Sequence, residues 1–203
     1  MAILGEGISS RFETRDAECL ENLRVLRERS RRVGELLGAV DVVCHDLPDN
    51  RFDTVALLDV TRLVEDLIGR LDPDTVLTHH GGDLNVDHRV VHRAVVTATR
   101  PVPGSRVAEV LAFETPSSTE WAFGSAGASF CPNVFYDIAD TLDTKLRAMA
   151  IYDGEIRTYP HPRSTEALEA IANRWGSVAG MSAAEAFVLV RRLLPRCGAP
   201  RGR

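Results

Sequence analysis

Apolar positions recur in two rhythms along this chain, and the rhythms alternate. Ala2 to Leu4 form an apolar run broken at Gly5 and Gly7, the pattern of a short strand running into a loop. From Asp16 to Leu37, Leu20, Leu23, Leu26, Val33, Leu36 and Leu37 recur at helical spacing, and Gly38 supplies a stop. Val40, Val42 and Val43 predict a second strand. After Pro48-Asp49-Asn50, a helix is expected over Thr54 to Leu71, with Val55, Leu58, Leu63, Leu67 and Ile68 as its buried stripe. Thr75 to Thr78 reads as a β-branched strand, His79 to Val86 as a polar loop, and Asp87 to Arg100 as a helix stopped by Pro101. Val107 to Phe113 and Val134 to Ile138 predict two more strands around a Gly/Ser/Pro-rich stretch, Thr115 to Pro132, long enough to be a functional loop. Helices are expected over Thr141 to Tyr152 and Ser164 to Trp175. A last helix is expected from Ser182, whose spacing to Glu185 is that of a capping box, through Ala186, Phe187, Leu189, Val190 and Leu193.

Strand and helix in alternation predict an α/β fold: a Rossmann-like, three-layer arrangement with a mostly parallel sheet covered by helices. A single domain over 1–195 is the simplest parse, followed by a tail, 196–203, rich in Arg, Gly and Pro and expected to fray. The 203 residues carry 24 basic against 29 acidic side chains, a net charge of −5, so no broad basic face for nucleic acid is expected. Arg24, Arg27, Arg29, Arg31 and Arg32 interleave with Glu21, Glu28 and Glu35 in the pattern of a solvated helix face. No apolar run has the length of a membrane span, and Met1 to Arg11 does not read as a secretory signal, which predicts a cytoplasmic protein. Cys19, Cys44, Cys131 and Cys197 lie far apart, suiting reduced thiols rather than a disulfide framework or a cysteine zinc site.

The candidate chemistry gathers in Thr78 to His92, which holds His79, His80, His88 and His92 together with Asp83, Asn85 and Asp87. In open α/β sheets, the loop leaving a strand's carboxyl end is where ligands bind. Asp87 is placed to cap the following helix, with His88 in its first turn. A neutral imidazole at His88 suits zinc, and a nearby carboxylate can orient it. His88 and His92 are four apart, without the glutamate of a HExxH motif, and His92 suits helix packing. Spacing leaves open whether His79 and His80 are ligands, substrate contacts or ordinary loop residues. A second constellation is Tyr159-Pro160-His161-Pro162-Arg163, where prolines hold His161 in a rigid loop beside Arg163. Gly5 to Arg11 forms a Gly-rich turn without a phosphate-loop spacing.

With Asp83-Leu84-Asn85-Val86-Asp87-His88-Arg89 on a strand-to-helix loop, the chain resembles the PIG-L/LmbE family of zinc-dependent N-acetylglucosaminyl deacetylases. The opening GEGISSR is similar to the family's loop after its second strand, ELLGAVDVV to its second helix and third strand, and DTLDTKLRAMAIYDGEIR and AAEAFVLVRR to its closing helices. The resemblance implies a hydrolase that removes acetyl from N-acetylglucosamine-type amino sugars or glycoconjugates. It implies His88 as a Zn2+ ligand, Asp87 as a polar neighbour tuning catalytic groups, and Asn85 where many members carry an oxyanion-stabilising histidine. Arg11 and Asp83 resemble substrate-side positions, and His161 a late-loop catalytic partner.

The family's HPDDE motif, which supplies two zinc ligands and the general base, does not occur in these 203 residues. The family's first strand and helix, roughly 30 residues, are expected to be missing, which would open the core and expose strand edges that favour association into a homo-oligomer. Three readings follow: Met1 is an internal start and the natural protein is a zinc-dependent N-deacetylase with an upstream HPDDE segment; the short chain is a non-catalytic sugar- or partner-binding pseudoenzyme; or an unrelated metal or acid–base site is built from His79, His80, Asp83, His88 and His161.

Overall fold

The computed structural model describes residues 1–124 and 127–194. Its elements follow the expected alternation for most of the chain: β1 (Ala2–Gly5), α1 (Ala17–Leu36), β2 (Val43–Leu47), α2 (Leu57–Leu71), β3 (Thr75–His79), α3 (Val86–Ala98), β4 (Glu109–Phe113), β5 (Val134–Asp137), α4 (Leu142–Ile151), α5 (Thr165–Ala179) and β6 (Ala184–Arg192). Caps fix several helix starts. The Asp16 side chain accepts from Cys19 N at α1, and the Ser164 side chain from Ala167 N at α5. No helix among the described residues is long and apolar enough to cross a membrane.

The α/β class is as expected, and three local expectations are corrected. The second strand starts at Val43, because Val40 lies fully exposed before it. The second helix starts at Leu57, with Phe52–Thr54 in a separate 3-10 turn that buries Phe52. The largest correction is at the end of the chain, where Ala184–Arg192 forms a strand rather than a helix. β6 pairs antiparallel with β4 on one side and β5 on the other, so both edges of its backbone are satisfied. The run Phe187-Val188-Leu189-Val190 is β-prone, and an Ser182/Glu185 capping box is worth only about 1 kcal/mol. Glu185 instead meets the Lys145 ammonium at 2.5 Å.

This strand makes the sheet mixed. β3–β4 and β1–β2 pair in parallel, whereas β6 brings two antiparallel ladders. The strands form two separate sheets, β1-β2 and β3-β4-β6-β5, leaving free edges on β1, β2, β3 and β5 among the described residues. One core nevertheless joins the two sheets. Leu4 of β1 and Val110 of β4 belong to a single buried cluster with Val60, Val64 and Leu67 of α2 and Ala94 and Val95 of α3. A second cluster packs Trp175 of α5 on Ala184 and Ala186 of β6. The Pro195 to Arg203 stretch, with the expected tail and Cys197, lies outside the described residues.

Candidate functional site

Loops leaving the carboxyl ends of β1, β2, β3 and β4 are linked through side chains, and Asp83 is the main knot. It is fully buried. Its Oδ1 accepts from His88 Nδ1 at 3.0 Å, Asn85 N at 2.9 Å and the Ser118 hydroxyl, and its Oδ2 accepts from Thr119 Oγ1 at 2.7 Å. Burial alone would raise the Asp83 pKa, but donation from His88, Ser118 and Thr119 outweighs it and holds the carboxyl at about 2. An ionised carboxylate on Nδ1 makes that nitrogen the proton-bearing one, leaving the lone pair of neutral His88 on Nε2. Asp83 thus faces His88 and two hydroxyls, not a substrate-side opening. That role depends on Ser118 and Thr119, which lie in the long 115–132 loop without a local motif to mark them.

Helix α3 begins one turn from this knot. Its N-cap is Asn85, whose side chain accepts from Asp87 N at 2.8 Å, so Asp87 is not the cap. The Asp87 carboxylate accepts from Asn50 N at 2.6 Å and Phe52 N at 3.0 Å, tying the loop after β2 to α3. Burial pushes its pKa up, and those two N–H groups oppose the rise. Asn85 Nδ2 donates to Asn50 Oδ1 at 3.3 Å, so its amide is spent on the scaffold.

The remaining histidines divide clearly. His79 stacks on His88 with ring centroids 4.0 Å apart and leans on Phe113. Its Nδ1 is buried without a hydrogen-bond partner, and burial, helped by repulsion from His88, lowers its pKa to about 3. His80 Nε2 donates to Ala128 O at 2.8 Å, and His92 Nδ1 to His79 O at 2.8 Å. His92 therefore braces the strand end, and burial lowers its pKa. A Cβ on Gly82 would lie 2.3 Å from Ala128 O, so the turn after His80 admits no side chain there.

His161 belongs to the far rim. Its Nδ1 accepts from Arg163 N at 3.1 Å, leaving Nε2–H as the donor, and its ring meets Trp121 edge-on at 5.4 Å. Arg163 reaches Glu155 at 2.5 Å, and Arg11 reaches the same carboxylate at 2.6 Å. Ser10, beside Arg11, bonds Asp49 and accepts from Asn50 Nδ2 at 3.0 Å. The structure therefore brings His88, Asp83, Asn85 and Asp87 into one direct network and links Arg11 and His161 to it through Glu155, Trp121, Ser10 and Asn50. Trp121, Glu155 and Asn50 have no local signature and become visible only in this belt.

A catalytic zinc centre needs three converging protein donors. Among the described residues, no group of three His, Cys, Asp or Glu side chains converges in that way. Asp83 and Asp87 are engaged with His88, hydroxyls and backbone N–H groups. His88 is held as a ligand would be, by a carboxylate behind its Nδ1. The described residues do not fit a complete zinc centre.

Residues 2–99, which run from β1 to α3 and include the Asp83–His88 pair, match the PIG-L family model, described as GlcNAc-PI de-N-acetylase. An uncharacterized deacetylase of Escherichia coli K12, YaiS, is 30% identical over 128 residues, which are 60% of this chain. The match spans 62% of YaiS, so the chain corresponds to less than two thirds of that relative. The likeness of fold to solved structures covers more of the chain. The N,N'-diacetylchitobiose deacetylase of Pyrococcus horikoshii superposes with a TM-score of 0.67 at 16% identity, covering 94% of this chain and 72% of that one. GalB, a 4-carboxy-2-hydroxymuconate hydratase of Pseudomonas putida KT2440, superposes with a TM-score of 0.66 at 21% identity, covering 98% of this chain and 86% of that one. One fold therefore carries both deacetylation and hydration, and the reaction has to be argued from the site.

Proposed function

We propose that this protein is a hydrolase of the de-N-acetylase type, acting on an acetylated amino sugar or glycoconjugate. The observation that carries this reading is the Asp83–His88 pair, at the carboxyl end of β3 and within the stretch that matches the PIG-L family model. Asp83 keeps the proton of neutral His88 on Nδ1, so Nε2 is the nitrogen free to take a proton or donate a lone pair. In amide hydrolysis, water adds to the acetamide carbonyl and loses a proton, the C–N bond breaks, and the amine leaves with a proton as acetate is released. His88 Nε2 is the acceptor for the first proton, with Asp83 stabilising the imidazolium. The Nε2–H of His161, oriented by Arg163 N, suits a hydrogen bond to substrate oxygen. No step is assigned to zinc, because the described donors do not complete its site.

The test is release of acetate and free amine from N-acetylglucosamine and N,N'-diacetylchitobiose by the full chain, with and without added Zn2+. Turnover lost in His88→Ala supports the proposal. Absence of turnover in both conditions refutes it. A second reading, a sugar-binding protein without hydrolysis, is favoured specifically by the lack of a three-donor cluster among the described residues. It predicts sugar binding without turnover, unchanged in kind by His88→Ala. A cytoplasmic location and self-association through free strand edges remain part of the proposal, the latter motivated by the divided sheet.

A further inference from the structure

Three large aromatic side chains stand exposed on the two loops that meet at the far rim: Trp121 at 39%, Phe123 at 87% and Tyr159 at 63%. They contrast with Trp175, which is buried in the α5–β6 core and donates its Nε1 to Glu114 at 2.5 Å. Exposed large apolar side chains rimmed by polar groups mark binding surfaces in soluble proteins. Trp121 is also anchored. It lies in the 3-10 turn Glu120–Ala122, two residues beyond Thr119, whose hydroxyl is fixed on Asp83. Its ring is steadied by the edge-to-face contact with His161. The indole is thus held at the border between the Asp83–His88 pair and the Arg11–Glu155–Arg163 cluster.

We infer that Trp121 is the stacking platform for a pyranose ring of the substrate, and that this platform helps set the protein's preference for carbohydrate. The inference rests on the amino-sugar reading above. A pyranose presents C–H groups on its faces and hydroxyls around its rim, so it pairs an aromatic plane with hydrogen-bonding groups at the edge. Trp121 supplies the plane. The Nε2–H of His161 and the Glu155 carboxylate, shared by Arg11 and Arg163, supply the edge. An alkyl chain in the same place would cover those charged groups and return no hydrogen bond, which costs binding free energy. Trp121 touches the bound ring but no reacting atom, so it is a positioning residue rather than a catalytic one.

The chain has two tryptophans, and only Trp121 is partly exposed, so fluorescence can report on it directly. The full chain, Trp121→Phe and Trp121→Ala are titrated with N-acetylglucosamine and N,N'-diacetylchitobiose, reading tryptophan emission and calorimetric affinity, with circular dichroism confirming that each variant is folded. The expected result is a saturable emission change in the parent that is absent from Trp121→Phe. Affinity should fall about 10-fold in Trp121→Ala, the size of an aromatic stacking contact, and stay within about 3-fold in Trp121→Phe. Equal affinity of the parent and Trp121→Ala overturns the inference. So does a parent that binds neither sugar, or one whose emission responds to octanoate and not to sugar. If Trp121→Ala does not fold, the emission difference between the parent and Trp121→Phe still decides. Sugar binding through Trp121 without acetate release would sink the hydrolase proposal and leave the platform standing, whereas acetate release with an unresponsive Trp121 would do the reverse.

Discussion

Replacing Asp83 by Asn tests the central claim about the site, that a buried carboxylate organises it. The substitution keeps the shape and removes the charge. The native carboxylate accepts four hydrogen bonds, from His88, Asn85 N, Ser118 and Thr119, with no exposure to water. An Asn amide can accept on one atom only, so the Thr119 hydroxyl has to reverse and accept from the NH2 group, and the charge that strengthens every one of these bonds is lost. Hydrogen bonds to a charged group are worth about 1.5–3 kcal/mol each, and breaking a buried charged network costs about 3–5 kcal/mol. We expect a loss of about 3 kcal/mol at pH 7, measured by urea denaturation monitored by circular dichroism. The pH dependence carries the sign. The folded carboxyl is held at about 2, below its ordinary value of 3.8, so its stabilisation is fully present above about pH 4 and is lost as pH falls through about 2. The stability gap between parent and Asp83→Asn should shrink over that window. A gap under about 0.5 kcal/mol at pH 7, the size of an ordinary surface substitution, would refute the reasoning.

Gly82→Ala places a methyl group 2.3 Å from Ala128 O, so it should cost about 1–3 kcal/mol in the same denaturation assay; an unchanged midpoint would mean that the two loops do not touch. Ser182→Ala should change stability by less than about 0.5 kcal/mol, because Ser182 precedes a strand and caps no helix, whereas Ala186→Pro should prevent folding by removing a ladder N–H from a strand paired on both sides. A loss of about 1 kcal/mol in Ser182→Ala would restore the helical reading. The unpaired edges of β1 and β3 should make the chain associate with rising concentration, seen as a growing sedimentation coefficient; a single monomer boundary across a 100-fold range, chosen as roughly the span needed to shift a weak equilibrium, would count against edge exposure.

The polar cluster on the loop after β3 is legible in the amino-acid sequence, because four histidines within the same short stretch as Asp83, Asn85 and Asp87 break an otherwise ordinary apolar rhythm. The roles within it could not. Asp87 has the right residue type for a cap, but Asn85 takes the cap and Asp87 turns to the backbone of Asn50 and Phe52, a choice made by how the loop after β2 lies against α3. Asp83 carries no local sign of being buried, because its partners Ser118 and Thr119 lie 35 and 36 residues away.

Local periodicity and punctuation determined β1, α1, β3, α3, α4 and α5, since those elements are specified by their own side-chain spacing, caps and stops. Tertiary structure decided β6. Residues 184–192 satisfy a helical and an extended pattern alike, and the free ladders of β4 and β5 favour the extended one by pairing both edges of its backbone. Tertiary structure also decided the division of the strands into two sheets and the closing of the site belt from Arg11 through Glu155 and Trp121 to Asp83. These are contacts between distant segments, and a one-dimensional pattern carries information about a residue's face but not about which distant group that face will meet.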